Sequence, residues 1–462
     1  MVERKDTAHG RQNTTPWRVE THGINVVPDE DRHGGPSHVF WIWFAGNLNI
    51  TAVVIGAVIS SYGLSWFQSL IAMLGLLSFW LVGYFGIPGM RRGKPTMALS
   101  AHIFGSVGNK FPSLISWLNL VGWETIMLIL GAFAFEGVLV HVLHGVSGPV
   151  DRLTSLAVVT VAAFSIAFLG HATIVRMQTI FSYLFGAMTV GIILLLLPHM
   201  DWGAIWRHRA GSWTLGVLPA FSIVVAASGL SWVNTASDYT RYLPRSTPGR
   251  KVVGATTWGA VIPLAGLTAL GIVLASRVPQ LATSVNPVAV LLSQLPGWAV
   301  IPYLLVSVGG IVASDILDVY SSGLSLLALG VRTPRSRTIF VDAIISIGLA
   351  TFVLWHAEGF IALFEAVLSL LAGVLAPWAA IFLVETVRGE RGMRSAVRLR
   401  WPALTAWGVG LLAALLTTST SLVSGPLAIG VFNGSSLGYL LGFVVAWVIY
   451  AFWTRGVHAH GG

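Results

Sequence analysis

Not one cysteine occurs among the 462 residues, which excludes disulfide frameworks and thiolate metal sites. Charge is nearly as scarce. Asp, Glu, Lys and Arg make up 10% of the chain, against roughly 25% in a soluble globular domain. A surface with so few charges faces something other than water. Enzyme motifs are missing too: there is no HExxH zinc motif. The nearest approach to a phosphate loop, Pro88 to Pro95 (PGMRRGKP), lacks the first glycine and the closing Ser or Thr. These absences argue against a membrane-embedded enzyme, against a cofactor and against ATP coupling. Residues 1–38 are polar and lack the charged-then-apolar order of a signal peptide. They read as a cytoplasmic tail.

What fills the chain instead is apolar: 55% hydrophobic residues and a mean hydropathy of +0.77. A bilayer crossing takes about 20 apolar residues. Runs bounded by Gly, Pro or charge fall at about 39–62, 66–86, 112–142, 153–170, 177–198, 213–236, 253–275, 299–330, 337–355, 359–386, 403–422 and 433–454. They predict twelve spans joined by short loops. Sorting the basic residues by loop tests that count. Of the 27 Lys and Arg, only Arg152, Arg207, Arg209 and Arg277 fall on one side. The other side, with both tails, is then cytoplasmic. The net charge of +9 is that loop bias rather than a nucleic-acid surface.

Span starts repeat. The second and seventh, and the third and eighth, lie 187 residues apart; the next two pairs differ by 184 and 182. Five is an odd number, so the second copy is expected upside down, as in many secondary transporters with a midplane site. Polar interruptions fall at matching places. The first span contains Ala45-Gly46-Asn47-Leu48-Asn49 and the sixth Ser228 to Asn234, with Gly46 and Gly229 183 residues apart. Broken helices there would free backbone groups for a solute or ion.

Ionisable groups at membrane depth are costly and usually functional. Glu124 sits mid-span beside Trp123, and Asp315 and Asp318 share a face of the eighth span, with Ser314 one turn before Asp318. Apart from Arg337 at the first position of the ninth run, no Lys or Arg lies inside the spans as drawn, so a proton-carrying role is expected. Glu136 and Glu365 lie nearer span ends, and Asp238 beside Arg241 reads as a structural ion pair. Trp123 and Trp232 sit near the midplane beside polar groups. Such rings can stack on a planar heterocycle while Asn amides read its edge.

Several stretches resemble the nucleobase:cation symporter-1 family. They are Asn47-Leu48-Asn49, Lys94 to Met97 leading into Phe104 to Asn109, Ala236 to Pro244, Tyr320 to Leu324, and Ala376 to Ala380. The likeness runs from about residue 20 to 455 and is nearest to the purine/cytosine permease branch. It implies an all-α membrane fold of two inverted five-helix repeats, of leucine-transporter type, plus two helices. Residues 39–198 would form the first repeat, 213–386 the second and 403–455 the added pair, with 456–462 a cytoplasmic tail. It also implies that Trp123 and Trp232 stack on the substrate, that Asn49 reads it from the first helix, and Asp318 from the eighth. Asp318 replaces the Asn of many members, and Met127 replaces an amide. The sodium site of related members would fall on the carbonyls of Ala45 and Leu48 and on Gly309, Val312 and Ala313. The hydroxyls of that site are missing here. Proton coupling through Asp315, Asp318 or Glu124, with Ser314 nearby, is therefore expected over sodium.

The sequence thus describes a secondary transporter of the inner membrane, importing cytosine or a purine by proton symport and alternating access. Its partners are a nucleobase and the lipid bilayer, with no nucleic acid and no assigned oligomeric state. The runner-up solute is another planar heterocycle, such as allantoin, a hydantoin or a vitamin. A channel suits the buried carboxylates less well.

Overall fold

The computed structural model describes residues 15–142, 147–200, 202–207, 209–284, 286–356, 360–389, 397–420, 422–435 and 437–459. Within them the protein is all-helical apart from one isolated bridge, Ser419 with Ser424. The main helices are α1 (Pro36–Gly46), α2 (Thr51–Ser61), α3 (Trp66–Arg92), α4 (Thr96–Phe104), α5 (Lys110–Val142), α6 (Pro149–Leu169) and α7 (His171–Leu196). They continue with α8 (Trp213–Thr235), α9 (Gly249–Ala275), α10 (Gly297–Leu329), α11 (Arg335–His356), α12 (Phe360–Arg388), α13 (Trp401–Thr417) and α14 (Gly438–Ala459). Among the described residues nine helices are long and apolar enough to cross a membrane, and a tenth if the bent pair α1–α2 is one span. α13 and the apolar part of α14 are shorter.

Every predicted apolar run is helical, with shifted ends. α7 begins at His171 rather than 177, because Gly170 takes φ +100° and turns α6 into α7 with no loop between. Arg176, drawn as a loop residue, therefore lies inside α7. α13 stops at Thr417 and α14 starts at Gly438, since turns anchored on the carbonyls of Leu416 and Thr418 occupy the interval. The predicted start of the tenth run at 359 lies outside the described residues, as do residues 1–14, Arg391 and Arg394. The predicted tail from 456 begins as the last turn of α14.

Two helix groups pack internally. α9 lies along α1, α2 and α3; α5, α6, α10 and α11 form the second group, with α5 and α10 the most extensive pair. α7 bridges α1 to α10, while α12, α13 and α14 pack together at the flank. The contacts between runs pair up. The third run meets the ninth as the eighth meets the fourth, and third–eighth and fourth–ninth partners also touch.

The expected N-terminal tail is, over its described part, a packed segment. Val27, Glu20, Asp31 and Arg32 are buried. Arg32 donates to the carbonyls of Val27 and Met90 at 3.0 and 2.7 Å.

Candidate functional site

α1 and α2 part at residues 47–50, bent by 61°, because two amides compete there with the helical ladder. Asn47 folds Nδ2 back onto the Trp43 carbonyl at 2.8 Å. Asn49 donates Nδ2 to the Gly46 carbonyl at 3.1 Å, while its Oδ1 accepts the Thr51 N–H at 3.0 Å and the Thr51 hydroxyl. One side chain thus caps the end of one half-helix and the start of the other. α8 breaks at Ser228, which leaves helical angles (φ −112°, ψ −111°). Here neighbours supply the caps. The Ser78 hydroxyl of α3 accepts the Gly229 N–H at 3.1 Å, and Asn119 of α5 donates to the Ser231 carbonyl at 3.2 Å. A side chain at position 229 would stand 2.2 Å from the Ser78 carbonyl carbon, so the close approach needs glycine.

Both predicted tryptophans are buried beside these breaks: Trp123 in α5, and Trp232 four residues past the kink. Met127, one turn on from Trp123, is buried as well. Sequence reasoning missed Trp43, whose ring meets Trp232 edge-on at 5.4 Å and also touches Tyr239 and Phe79, each at 5.6 Å. Trp43 fixes the tilt of Trp232. The available signal was its position one turn before Asn47, obscured by the many tryptophans of a membrane chain.

Glu124, Asp315 and Asp318 are brought together, each 0–1% exposed. No carboxylate oxygen of the three has a hydrogen-bond partner among the described residues. Asp342 of α11, missed from sequence, joins them. It accepts the Trp117 indole N–H at 2.7 Å and the Ser322 hydroxyl at 2.9 Å. Glu136 lies apart, accepting from Ser147 at 2.8 Å.

The residues of the expected cation set converge on the α1–α2 break. The Ala45 carbonyl accepts the Leu48 N–H at 3.1 Å. The Ala313 carbonyl accepts Nε2 of Gln178, a buried α7 residue also missed, at 2.7 Å. A side chain at Gly310 would stand 2.1 Å from the Leu48 carbonyl oxygen, and one at Gly309 2.1 Å from the Phe185 ring. Val312 and Ser314 are buried among them. A cavity of about 60 Å³ reaches Leu48 and Asn49 from the end of the molecule that bears Arg277. It continues past Leu274 and Leu295 into a wider space of about 480 Å³ beside Arg277 and Trp298. Neither space is lined by Trp123, Trp232 or Asp318.

At the opposite end the N-terminal segment packs against His171, Arg241 and Tyr320. Arg241 donates to Glu20 at 2.6 Å and to the Tyr320 hydroxyl at 2.9 Å, and that hydroxyl donates to Glu20 at 3.0 Å. The His171 N–H donates to Glu20 at 3.0 Å. Burial alone would raise the Glu20 carboxyl, but Arg241, Arg335 and His171 outweigh it and hold it at about 2. The expected ion pair of Arg241 with Asp238 is therefore corrected: the partner of Arg241 is Glu20. Asp238 instead accepts the N–H and hydroxyl of Thr96 at 2.8 and 2.9 Å. Its burial pushes it up to about 6 despite those donors.

A family model described as permease for cytosine/purines, uracil, thiamine and allantoin matches residues 26–442. A Bacillus subtilis protein named as a candidate purine-cytosine permease, YxlA, is 27% identical over 94% of this chain and 95% of its own length. Purine-cytosine permease fcyB of Emericella nidulans is 24% identical over 93% of this chain and 87% of its own. Among solved structures, Mhp1, a nucleobase-cation-symport-1 family transporter closed on bromovinylhydantoin, superposes with a TM-score of 0.72 at 18% identity, covering 94% of this chain and 95% of that one. A Na+-coupled sialic acid symporter in an outward-open state gives 0.65 at 13% identity, covering 96% and 93%. At such identities the two structures establish the fold alone, and two carriers of unlike solutes share it. The family match spans most of the chain. The protein therefore belongs to the nucleobase-cation symporter-1 family, the permeases for cytosine/purines, uracil, thiamine and allantoin, and its work is transport rather than catalysis.

Proposed function

We propose that the protein imports a planar nucleobase, cytosine or a purine, together with a proton, by alternating access. Twelve crossings with both termini cytoplasmic follow from the charge sorting. The reciprocal contacts between runs support an inverted five-helix repeat, since an isologous arrangement makes contacts in matched pairs. Trp123 and Trp232 would stack on the base, with Asn49, Met127 and Asp318 lining its edge.

The observation that carries the coupling is the group Glu124, Asp315 and Asp318, buried with no hydrogen-bond partner among the described residues. Isolated buried carboxylates avoid charge by taking up a proton. One carbonyl of the expected cation set, that of Ala45, already receives an N–H donor, from Leu48. A donor pointed at such a site disfavours a cation there, and sodium needs several oxygen ligands. Uptake of radiolabelled cytosine, adenine and allantoin, with and without a protonophore and with and without sodium, tests the reading. Cytosine or adenine uptake abolished by the protonophore is expected. Uptake that needs sodium and ignores the proton gradient overturns the coupling, and preference for allantoin overturns the solute. Asp318→Asn should change both affinity and pH dependence; if neither moves, its assignment fails.

A further inference from the structure

Asp342 has no part in the reading above, yet it is completely buried and belongs to the same carboxylate group. Asp342, Asp315 and Asp318 all lie close enough to act on Glu124. Trp117 and Glu124 lie seven residues apart on α5, two turns on one face, so both face α11. The single Ser322 O–H, close to Glu124 but with no hydrogen bond to either of its oxygens, has two acceptors within reach, Asp342 Oδ2 at 2.9 Å and the Val319 carbonyl at 3.0 Å. Asp342 lies seven residues into α11 from Arg335, about 10 Å of helix rise. Arg335 itself is fixed to the carbonyls of Ala167 and Phe168 at the Arg241 end. The aspartate thus sits between the central carboxylates and that end, away from the α1–α2 break.

We propose that Asp342 is a proton-transfer residue, carrying the coupled proton from Glu124 through Ser322 toward the Arg241 end by a route separate from the solute's. This rests on the proton-coupled reading above. In the step, the Glu124 carboxyl first turns its O–H onto Ser322 Oγ; that O–H breaks as Oγ takes its proton, and the Ser322 O–H breaks as Asp342 Oδ2 takes its own. The serine ends neutral, and one negative charge moves from Asp342 to Glu124. Groups around Asp342 suit this. From α5 the titratable neighbour is Glu124, and from α10 Asp315 and Asp318 act on that same glutamate. α6 carries no titratable side chain after Arg152. α11 has only Arg335, Arg337 and His356, all at its ends. No described cation faces Asp342 as an ion-pair partner.

Reconstituted protein in vesicles holding a pH-sensitive dye tests the proposal, with nucleobase counterflow measured in parallel. Counterflow exchanges solute without net proton movement. Asp342→Asn should lower gradient-driven uptake and solute-evoked acidification about a hundredfold, the low end of what a placed acid–base group contributes, with counterflow retained. Asp342→Glu should restore both with a displaced pH profile. Ser322→Ala should repeat the loss and serves as the second variant if Asp342→Asn fails to reach the membrane. Wild-type-like acidification in Asp342→Asn or Ser322→Ala overturns the proposal, as does equal loss of counterflow and acidification in both. Wild-type uptake that evokes no acidification would instead sink the proton-coupled reading, before any variant is made.

Discussion

At the residue scale, the two buried acids near the Arg241 end have opposite pH signatures. Glu20 is held at about 2, below its ordinary 4.5. Its stabilisation is complete above about pH 4.5 and disappears as the pH falls through about 2, because the unfolded chain takes up the proton first. Asp238, raised from 3.8 to about 6, keeps its proton longer in the folded state. Its contribution therefore declines as the pH rises from about 4 to about 6. Removing one partner of a buried ion pair strands the other, at roughly 3–5 kcal/mol. Glu20→Gln should accordingly lower the unfolding temperature of the purified carrier at pH 7 and abolish most of its acid sensitivity between pH 4.5 and 2; an unchanged temperature would count against the pair. Neither assignment was legible in the sequence. Asp238 and Arg241 lie three apart and look like partners, whereas Glu20 is 221 residues from Arg241. Local spacing favoured the wrong acid, and only tertiary packing of the N-terminal segment brings the right one in.

At the element scale, α10 carries two adjacent glycines whose neighbours differ in stiffness. Gly310 faces the Leu48 carbonyl, which is backbone fixed by the break, while Gly309 faces the Phe185 side chain. A methyl group at 310 must move the broken helix; one at 309 needs only a ring to turn. Gly310→Ala should cost about 1–3 kcal/mol, the usual range for overpacking, and abolish solute binding. Gly309→Ala should be milder, with Phe185→Leu rescuing it. Binding assays on the three variants would check the order, and equal losses at both glycines would contradict it. The breaks themselves were readable, because Asn47, Asn49 and Gly229 are polar or small residues in otherwise apolar runs. Their caps were readable only in α1–α2, where Asn49 acts on its own neighbours. The caps of α8 come from Ser78 and Asn119 on other helices, and ordinary polar residues in those runs announce nothing about where they point. Helix ends drifted for the same reason: Gly170 needs no loop residues to reverse the chain, and hydropathy cannot see that.

At the scale of the whole molecule, the space beside Arg277 reaches the α1–α2 break, while the N-terminal segment, Glu20, Arg241 and Tyr320 fill the other end. The absence of cysteine makes this asymmetry directly measurable, since any introduced thiol is the only one present. A cysteine replacing exposed Ser293 on the Arg277 side should react with a membrane-impermeant reagent applied there. One replacing Ser325, 2% exposed, should stay protected. Adding Glu20→Gln should speed labelling at 325 by up to about a hundredfold, the population shift matching roughly 3 kcal/mol. Unaltered labelling would mean that the segment does not hold the end shut. The break in the first run has a different consequence for the cycle. Its shape is kept by the amide of Asn49 and the Thr51 groups rather than by anything carried. A carrier that has delivered its load must still make the journey back with nothing aboard. A break that caps itself keeps its shape on that empty return, so each new solute meets a seat already formed.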